Sequence, residues 1–207
     1  MKTDTIVRDS NVIVYDSVSK IECYQRGLSK EFDINVFFVR FSDVKEYHDS
    51  CIVKLQIVDK ATHYKLDSLS ITSRLYYEDV FKDCKNVLSY STGININKKI
   101  LDNYYGDIIV ADLNFDDRDD IVVINDSGGN SGTFYNFYLQ DKNKKFTLNR
   151  YLTDSMVYFP QKINKRNRTL VTYALAGACG VGEHVHQLNP VIGEWKEKSH
   201  RIIGECK

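Results

Sequence analysis

The residues best suited to chemistry lie in one acidic segment, Asp112-Leu-Asn-Phe-Asp-Asp-Arg-Asp-Asp120. Its oxygen-bearing side chains recur at alternate positions, and in a tight loop such spacing lets several oxygens converge on one point. Ca²⁺ takes six to eight oxygen ligands at about 2.3–2.6 Å, from carboxylates, amides and main-chain carbonyls. The spacing therefore predicts a calcium site. The predicted ligands are Asp112, Asn114, Asp116, Arg118 through its main-chain carbonyl, and Asp120.

The same segment has a simpler interpretation, a solvated acidic turn between two strands. Against it, carboxylates held a few ångströms apart repel one another unless a cation or a pKa change relieves them. Leu113 and Phe115, which alternate with the predicted ligands, are expected to face the core and anchor the loop. Mg²⁺ fits less well than Ca²⁺ because it tends to keep several waters.

A second segment, Asp126-Ser-Gly-Gly-Asn-Ser-Gly-Thr-Phe-Tyr135, follows after one short apolar run. Its three glycines let the backbone approach a partner closely, and its small polar side chains supply neutral donors and acceptors. We predict a partner-binding loop here; the alternative is a flexible hairpin connection. The predicted contact residues are Ser127, Gly128, Gly129, Asn130, Ser131, Gly132, Thr133 and Tyr135.

Two histidines form a weaker candidate. His184 and His186 stand two residues apart in a strand-like segment, so both face the same side. They could bind zinc with Glu183 or Cys179 nearby, although a polar, solvated strand face is the commoner situation.

The five cysteines are odd in number, and none has the C-x-x-C spacing of a zinc ribbon or a thioredoxin motif. In an exported protein Cys179 and Cys206, which share the C-terminal segment, make a plausible disulfide. Buried reduced thiols are the alternative. The five are Cys23, Cys51, Cys84, Cys179 and Cys206.

Short strands separated by polar turns are the elements that must position these residues. They predict a mainly β fold of antiparallel sheets, a β-sandwich or propeller-like arrangement, with at most one or two short helices. Tyr76–Lys85 is the one candidate helix. The predicted strands are Asn35–Phe41, Cys51–Val58, Asp107–Ala111, Ile121–Ile124, Phe134–Gln140, Phe146–Leu148, Arg168–Tyr173, Glu183–Gln187 and Arg201–Ile203.

Length and composition set the remaining limits. The 207 residues carry 28 basic and 28 acidic side chains, and a chain without a basic surplus is not expected to bind nucleic acid. No composition break divides residues 1–207, so we predict a single domain, with residues 1–30 least certain and a candidate N-terminal extension. No apolar run reaches the roughly 18 residues of a membrane helix, and no signal sequence is expected in this chain.

Catalytic motifs are not expected either. The sequence has no G-x-S-x-G or H-E-x-x-H, and paired carboxylates of the glycosidase type cannot be assigned from spacing. We therefore expect a protein that is not an enzyme.

A series of motifs resembles one family. The acidic loop is similar to the Asp-x-Asp-x-Asp-Gly-x-x-Asp calcium loop of integrin-α-like (FG-GAP) repeats, with Asp117 in place of glycine. It departs from an EF-hand loop in the same glycine and in the twelfth position, where Val123 replaces the usual glutamate. The wider series, over roughly Cys51 to Ile203, resembles the calcium-binding, lysozyme-inhibitor-like immunity proteins of the Xanthomonas type IV secretion type. That series is Ser89-Tyr-Ser-Thr-Gly, Asp102-Asn-Tyr-Tyr-Gly-Asp107, Ala111-Asp-Leu-Asn-Phe-Asp, Asp119-Asp-Ile-Val-Val, Asp126-Ser-Gly-Gly-Asn130, Tyr135-Asn-Phe-Tyr-Leu-Gln140, Phe159-Pro and Gly180-Val-Gly-Glu-His184.

The resemblance implies a periplasmic or otherwise exported protein that holds Ca²⁺ in an EF-hand-like loop. It implies an inhibitor that sterically occludes the active-site cleft of a lysozyme-like peptidoglycan hydrolase effector. The ligands carry over to the five residues of the acidic loop named above. The alternative function is an extracytoplasmic carbohydrate- or protein-binding module with an FG-GAP-like calcium loop.

Overall fold

A computed structural model describes residues 5–8, 11–14, 17–43, 48–73, 79–91, 104–126, 132–176 and 180–203, of which 5–14, 43, 48 and 49 are described by their backbone only. The structure is 59% strand and 8% helical, and its paired strands are antiparallel. The prediction of a mainly β fold of antiparallel sheets is therefore confirmed. Contacts group the chain into two compact units, Met1–Ser89 and Tyr90–Lys207.

The first unit consists of one hairpin and one four-stranded sheet. The hairpin pairs β1 (Thr5–Arg8) with β2 (Asn11–Val14). The sheet follows chain order, each strand pairing antiparallel with the next. Its strands are β3 (Ser17–Gln25), β4 (Phe32–Asp43), β5 (His48–Asp59) and β6 (Lys65–Ser73).

The core of this sheet arises from strict alternation of apolar residues, which places every second side chain on one face. In β4, Phe32, Ile34, Val36 and Phe38 are each at most 1% exposed. β4 and β5 extend to 12 residues each, longer than the short strands expected from sequence. The matching inward residues of β5 are Cys51, Val53, Leu55 and Ile57.

A disulfide between Cys23 and Cys84 joins β3 to the segment that follows β6. Cys23 is fully buried on the inward face of the sheet. Sequence spacing gave no reason to choose this pair, because the two cysteines are 61 residues apart and only the folded sheet brings them together. Cys51 is a free, buried thiol, whereas Cys179 and Cys206 lie outside the described residues.

The candidate helix at Tyr76–Lys85 is replaced by two short 3₁₀ turns, Asp79–Phe81 and Cys84–Asn86. Asp83 separates them, with extended backbone angles, and its side chain accepts a hydrogen bond from the Lys85 N–H. A carboxylate that caps a new turn in this way competes with a continuous helix. Residues 76–78 of the candidate helix lie outside the described residues.

The second unit contains two sheets, each with strands in chain order. The five-stranded sheet consists of β7 (Ser89–Ser91), β8 (Ile108–Ala111), β9 (Asp120–Asp126), β10 (Phe134–Gln140) and β11 (Phe146–Leu148). The four-stranded sheet consists of β12 (Lys162–Asn164), β13 (Thr169–Ala176), β14 (Gly180–Leu188) and β15 (Trp195–Ile203).

Aromatic contacts join these two sheets. Phe115, from the loop after β8, packs against Trp195 of β15 with ring centroids 6.1 Å apart. Trp195 also stacks on Tyr151 at 6.5 Å. Tyr151 leads into a five-residue π-helix, Leu152–Met156, an element that the sequence pattern did not indicate. The acidic loop is therefore packed, through Phe115, against the four-stranded sheet.

The single domain over residues 1–207 stays a prediction. Among the described residues, no helix is long and apolar enough to cross a membrane.

Candidate metal centre and partner loop

The acidic loop connects two buried strands of the second unit. All four residues of β8 and the first five of β9 are buried, and Ala111 pairs with Asp120 at the base of the loop. Both ends of the loop are therefore fixed by the sheet. Leu113 is fully buried and Phe115 is 7% exposed, which confirms that these two side chains anchor the loop in the core.

Asp112 closes the loop on itself. Its Oδ1 accepts the Asp116 N–H at 3.0 Å, and its Oδ2 accepts the Asp117 N–H at 3.1 Å. Two main-chain donors therefore hold one carboxylate at the point where the chain reverses. A carboxylate oxygen has more than one lone pair, so these bonds leave Asp112 able to contact a cation as well.

The backbone turns through two left-handed positions. Phe115 has a φ of 64° and Asp117 a φ of 65°, in the region that favours glycine. Asp117 occupies the place where the FG-GAP pattern has its glycine, and it adopts the conformation that glycine would supply there. Aspartate is enriched several-fold among non-glycine residues with positive φ, which explains why the loop forms without that glycine.

Asn114 and Asp116 meet inside the loop. Asn114 Nδ2 donates to Asp116 Oδ2 at 2.8 Å, while Asp116 Oδ1 accepts the Arg118 N–H at 3.0 Å. The other amide atom, Asn114 Oδ1, is buried without a hydrogen-bond partner among the described residues. A buried acceptor left unpaired costs about 1–3 kcal/mol, and a bound cation would satisfy it.

Asp120 is the most deeply buried of the predicted ligands, with no exposed surface. Its Oδ2 accepts the Leu113 N–H and its Oδ1 accepts the Gln140 N–H, both at 2.8 Å. Burial raises the pKa of Asp120 to about 8. The two main-chain hydrogen bonds lower this pKa, and the negative charges of Asp116 and Asp112 raise it further. A nearby cation would instead favour the ionised carboxylate.

Basic side chains already face part of this acidity. The Arg118 guanidinium forms an ion pair with Asp116 and donates through Nε to the Gln140 carbonyl at 3.3 Å. Lys165 pairs with Asp117 and lies 3.7 Å from Asp112 Oδ2. Sequence reasoning assigned Arg118 only a carbonyl role and did not connect Lys165 to the loop. A cation at this site would compete with these two side chains.

Within the described part of the chain, no group of three or more His, Cys, Asp or Glu side chains is arranged as a metal site. Calcium would also need the Asn114 Oδ1 and the Arg118 carbonyl, both in the predicted ligand set and both of the oxygen type that Ca²⁺ prefers. The predicted ligands are all oxygen atoms, the type that Ca²⁺ prefers. The unpaired Asn114 Oδ1 is the feature that most favours a calcium site.

Two open grooves flank the loop, and Asn114 and Asp116 line both of them. The first, of about 410 Å³, also includes Phe115, Arg168 and Trp195. The second, of about 360 Å³, runs along the start of the β10–β11 turn. The acidic loop therefore forms a ridge between two surfaces that a partner or ligand could occupy.

The described end of the predicted partner loop is buried. Gly132 is buried with a φ of 91°, Thr133 is 5% exposed, and Tyr135 is 1% exposed. The Tyr135 hydroxyl accepts the Tyr105 N–H at 2.9 Å, so this side chain belongs to the core of β10. Tyr135 alternates with Phe137 on the inward face, a pattern that the sequence already contained.

Gly132, Thr133 and Tyr135 are therefore part of the packed end of the segment, and contact of these three with a partner stays a prediction. Ser127, Gly128, Gly129, Asn130 and Ser131 lie outside the described residues, and partner contact there stays a prediction.

The zinc candidate does not assemble in the form expected from sequence. His186 is 3% exposed, and its two ring nitrogens meet the Tyr151 hydroxyl at 3.0 Å and the Thr172 hydroxyl at 3.3 Å. Burial lowers the pKa of His186 to about 4, which keeps the ring neutral. Glu183 pairs with Arg201 and Tyr173 instead.

Comparison of the chain with protein-family models, with curated proteins and with solved structures found no significant match. Membership of the inhibitor family stays a prediction based on the motif series.

Proposed function

We propose that the protein is a calcium-binding inhibitor or immunity protein that blocks a lysozyme-like peptidoglycan hydrolase by occluding its active-site cleft. The observation that carries the calcium part is the buried, unpaired Asn114 Oδ1 in a loop closed by the Asp112 carboxylate. The left-handed Asp117, at the position of the motif glycine, supports the same assignment. The target rests on the resemblance of the motif series.

The proposed mechanism is steric and needs no catalytic group in this chain. The strand β9 leads directly from Asp120 to Asp126, next to the segment 127–131. A cation that fixes the acidic loop would restrain one end of that segment and reduce the entropy lost on binding. A small polar segment of this kind is suited to a cleft lined by carboxylates and sugar-binding groups.

The disulfide supports an exported location. Disulfides persist in oxidising compartments such as the periplasm and are rare in the reducing cytosol. The Cys23–Cys84 bond lies in the first unit, whereas the acidic loop belongs to the second, so it supports the location independently of calcium.

A second candidate function is an extracytoplasmic carbohydrate- or protein-binding module. The groove that Asn114 and Arg168 line beside the largely buried rings of Phe115 and Trp195 favours it, because ligand sites combine apolar walls with a few polar groups.

Stoichiometric inhibition assays test the proposal. The protein, saturated with Ca²⁺, is titrated into lysozyme-type muramidases acting on peptidoglycan, and inhibition is expected to saturate near one inhibitor per enzyme. Asn130→Arg should weaken inhibition at least about tenfold, or about 1.4 kcal/mol, without a change in melting temperature. Asn143→Arg, in the exposed β10–β11 turn, is the matched control and should inhibit normally.

Binding to glycan fragments without inhibition of any muramidase would favour the second candidate function. Equal inhibition by the Asn130 and Asn143 variants would place the contact surface elsewhere.

A further inference from the structure

The four-stranded sheet of the second unit carries a pair of histidines on strands β14 and β15 that the proposed function does not use. His184 and His200 are directly opposite each other in the register of these strands. Their rings stack with centroids 4.2 Å apart and planes within 12°. His200 belongs to an edge strand, and the sequence gave no reason to associate it with His184, 16 positions earlier in the chain.

The ε nitrogens of both rings lie over the same buried residue, Gly182. A methyl group placed on Gly182 would lie 2.9 Å from His184 Nε2 and 3.2 Å from His200 Nε2. Because residue 182 is glycine, both rings can come this close to the strand, and a larger residue would displace them. Neither Nε2 atom has a hydrogen-bond partner in the part of the chain that the structure describes.

Glu197 orients one of the two rings. Its Oε1 lies 2.7 Å from His184 Nδ1, which places a proton on Nδ1 of the neutral ring and leaves the lone pair on Nε2. A carboxylate behind a histidine in this way is the usual arrangement around metal-binding imidazoles, where it fixes the tautomer and raises ligand basicity.

The neighbouring groups leave the pair accessible. The His184 side chain is 31% exposed, and His200 is exposed. Glu183 and Arg201 pair with one another on the opposite face of the strands. His186, on the same face, is 6.3 Å from the His184 ring, and both of its nitrogens are engaged.

We propose that His184 Nε2 and His200 Nε2 bind a divalent late transition-metal ion, of the Zn²⁺, Ni²⁺ or Cu²⁺ class, above Gly182. Imidazole nitrogen is a preferred ligand for these ions, with metal–nitrogen distances of about 2.0–2.1 Å for Zn²⁺. Because the rings are stacked nearly parallel, both would have to rotate for their lone pairs to point at one ion, and the partial exposure of His184 and the exposure of His200 leave room for this. Two protein ligands leave further coordination positions open to water or to a group from a partner. This site is distinct from the acidic loop, whose oxygen ligands suit Ca²⁺.

Titration calorimetry with the untagged full chain, its accessible thiols alkylated, tests the site with the metal alone. Wild type is expected to bind one Zn²⁺ and to bind Cu²⁺ more tightly than Ni²⁺ or Zn²⁺. His200→Gln and Gly182→Ala should each weaken binding at least about tenfold, the first by loss of a ligand and the second by displacing both rings. Glu197→Gln should weaken it about 10- to 100-fold through loss of ring orientation.

Two variants serve as matched controls. His63→Asn removes an exposed histidine from the first unit at a position with a φ of 59°, which asparagine tolerates, and it should bind normally. The double variant Asp112→Ala, Asp116→Ala should also keep the transition-metal site. In NMR spectra of wild type, the imidazole signals of His184 and His200 should shift with Zn²⁺ while that of His63 stays in place.

No binding by wild type up to about 1 mM metal, or binding by His200→Gln within twofold of wild type, overturns the proposal. Melting curves for each variant show whether it is folded. If Gly182→Ala proves unfolded, His200→Gln and the NMR shifts decide the question, because His200 is an exposed side chain on an edge strand.

Discussion

The carboxylate of Asp120 accepts a hydrogen bond from the main-chain N–H of Gln140, 20 residues later, at 2.8 Å. Its other oxygen accepts the Leu113 N–H at the same distance. One fully buried side chain thus joins the start of the acidic loop to the end of β10. These two hydrogen bonds fix the loop to the sheet through the Asp120 carboxylate.

Asp120→Asn should destabilise the second unit by about 1–3 kcal/mol. The substituted amide can accept only one of the two hydrogen bonds, because its nitrogen is a donor, and a buried N–H of Leu113 or Gln140 then loses its acceptor. Urea denaturation of both proteins measures the difference in the free energy of unfolding. A change below about 0.5 kcal/mol would show that these two hydrogen bonds contribute little.

The loop should depend on Ca²⁺. At about 100 times its dissociation constant, a ligand that binds only the folded state adds about 2.7 kcal/mol of stability, which raises the melting temperature by several degrees. Asp112→Ala with Asp116→Ala should remove that increase. The measurement is thermal denaturation with Ca²⁺ and with EDTA, and Mg²⁺ at equal concentration is the control. An identical melting temperature for wild type in Ca²⁺ and EDTA contradicts the calcium site.

Position 117 tests the left-handed turn. Asp117→Val should cost about 1–2 kcal/mol, because a β-branched residue is disfavoured at a φ of 65°. Asp117→Gly should stay within about 1 kcal/mol of wild type, since glycine relieves the backbone while the exposed pair with Lys165 is lost. Chemical denaturation compares the two. Equal stability of the valine and glycine variants would mean that the turn relaxes to another conformation.

Loss of the Cys23–Cys84 bond should destabilise the first unit. For cysteines separated by 61 residues, the chain-entropy treatment gives about 4 kcal/mol. The variant Cys23→Ala, Cys84→Ala should therefore unfold at a lower denaturant concentration, and a reductant should lower the stability of wild type but not of this variant. If the reductant acts equally on both, the bond is not the one that stabilises the unit.

Cys51 should be unreactive in the folded protein. It is 2% exposed, and burial raises its pKa to about 11, against a smaller lowering by Arg40. At pH 8 its thiolate fraction is then about a hundredfold below that of an ordinary cysteine. Alkylation followed by peptide mass spectrometry should find Cys51 modified only after unfolding. Rapid labelling of Cys51 under native conditions would show that β5 opens readily.

The sequence alone determined the sheet class and the position of the acidic loop, for a local physical reason. Alternation in Phe32–Phe38 specifies which face of a strand is buried, and the run of apolar residues on either side of residues 112–119 specifies a loop between buried strands. Within the acidic loop, the alternation of Leu113 and Phe115 with polar residues predicted that these two side chains face the core. Each of these features depends on neighbours within a few residues.

Only the tertiary structure decided the pairings that depend on residues far apart in the chain. Cys23 meets Cys84, Asp120 meets Gln140, and His184 meets His200 because strands from separate segments share a sheet, and no local pattern specifies which strands those are. The burial of Tyr135 depends in the same way on the position of β10 inside the sheet. Sequence spacing therefore located the oxygen-bearing side chains of the loop, whereas the register between strands decided which side chains lie beside them.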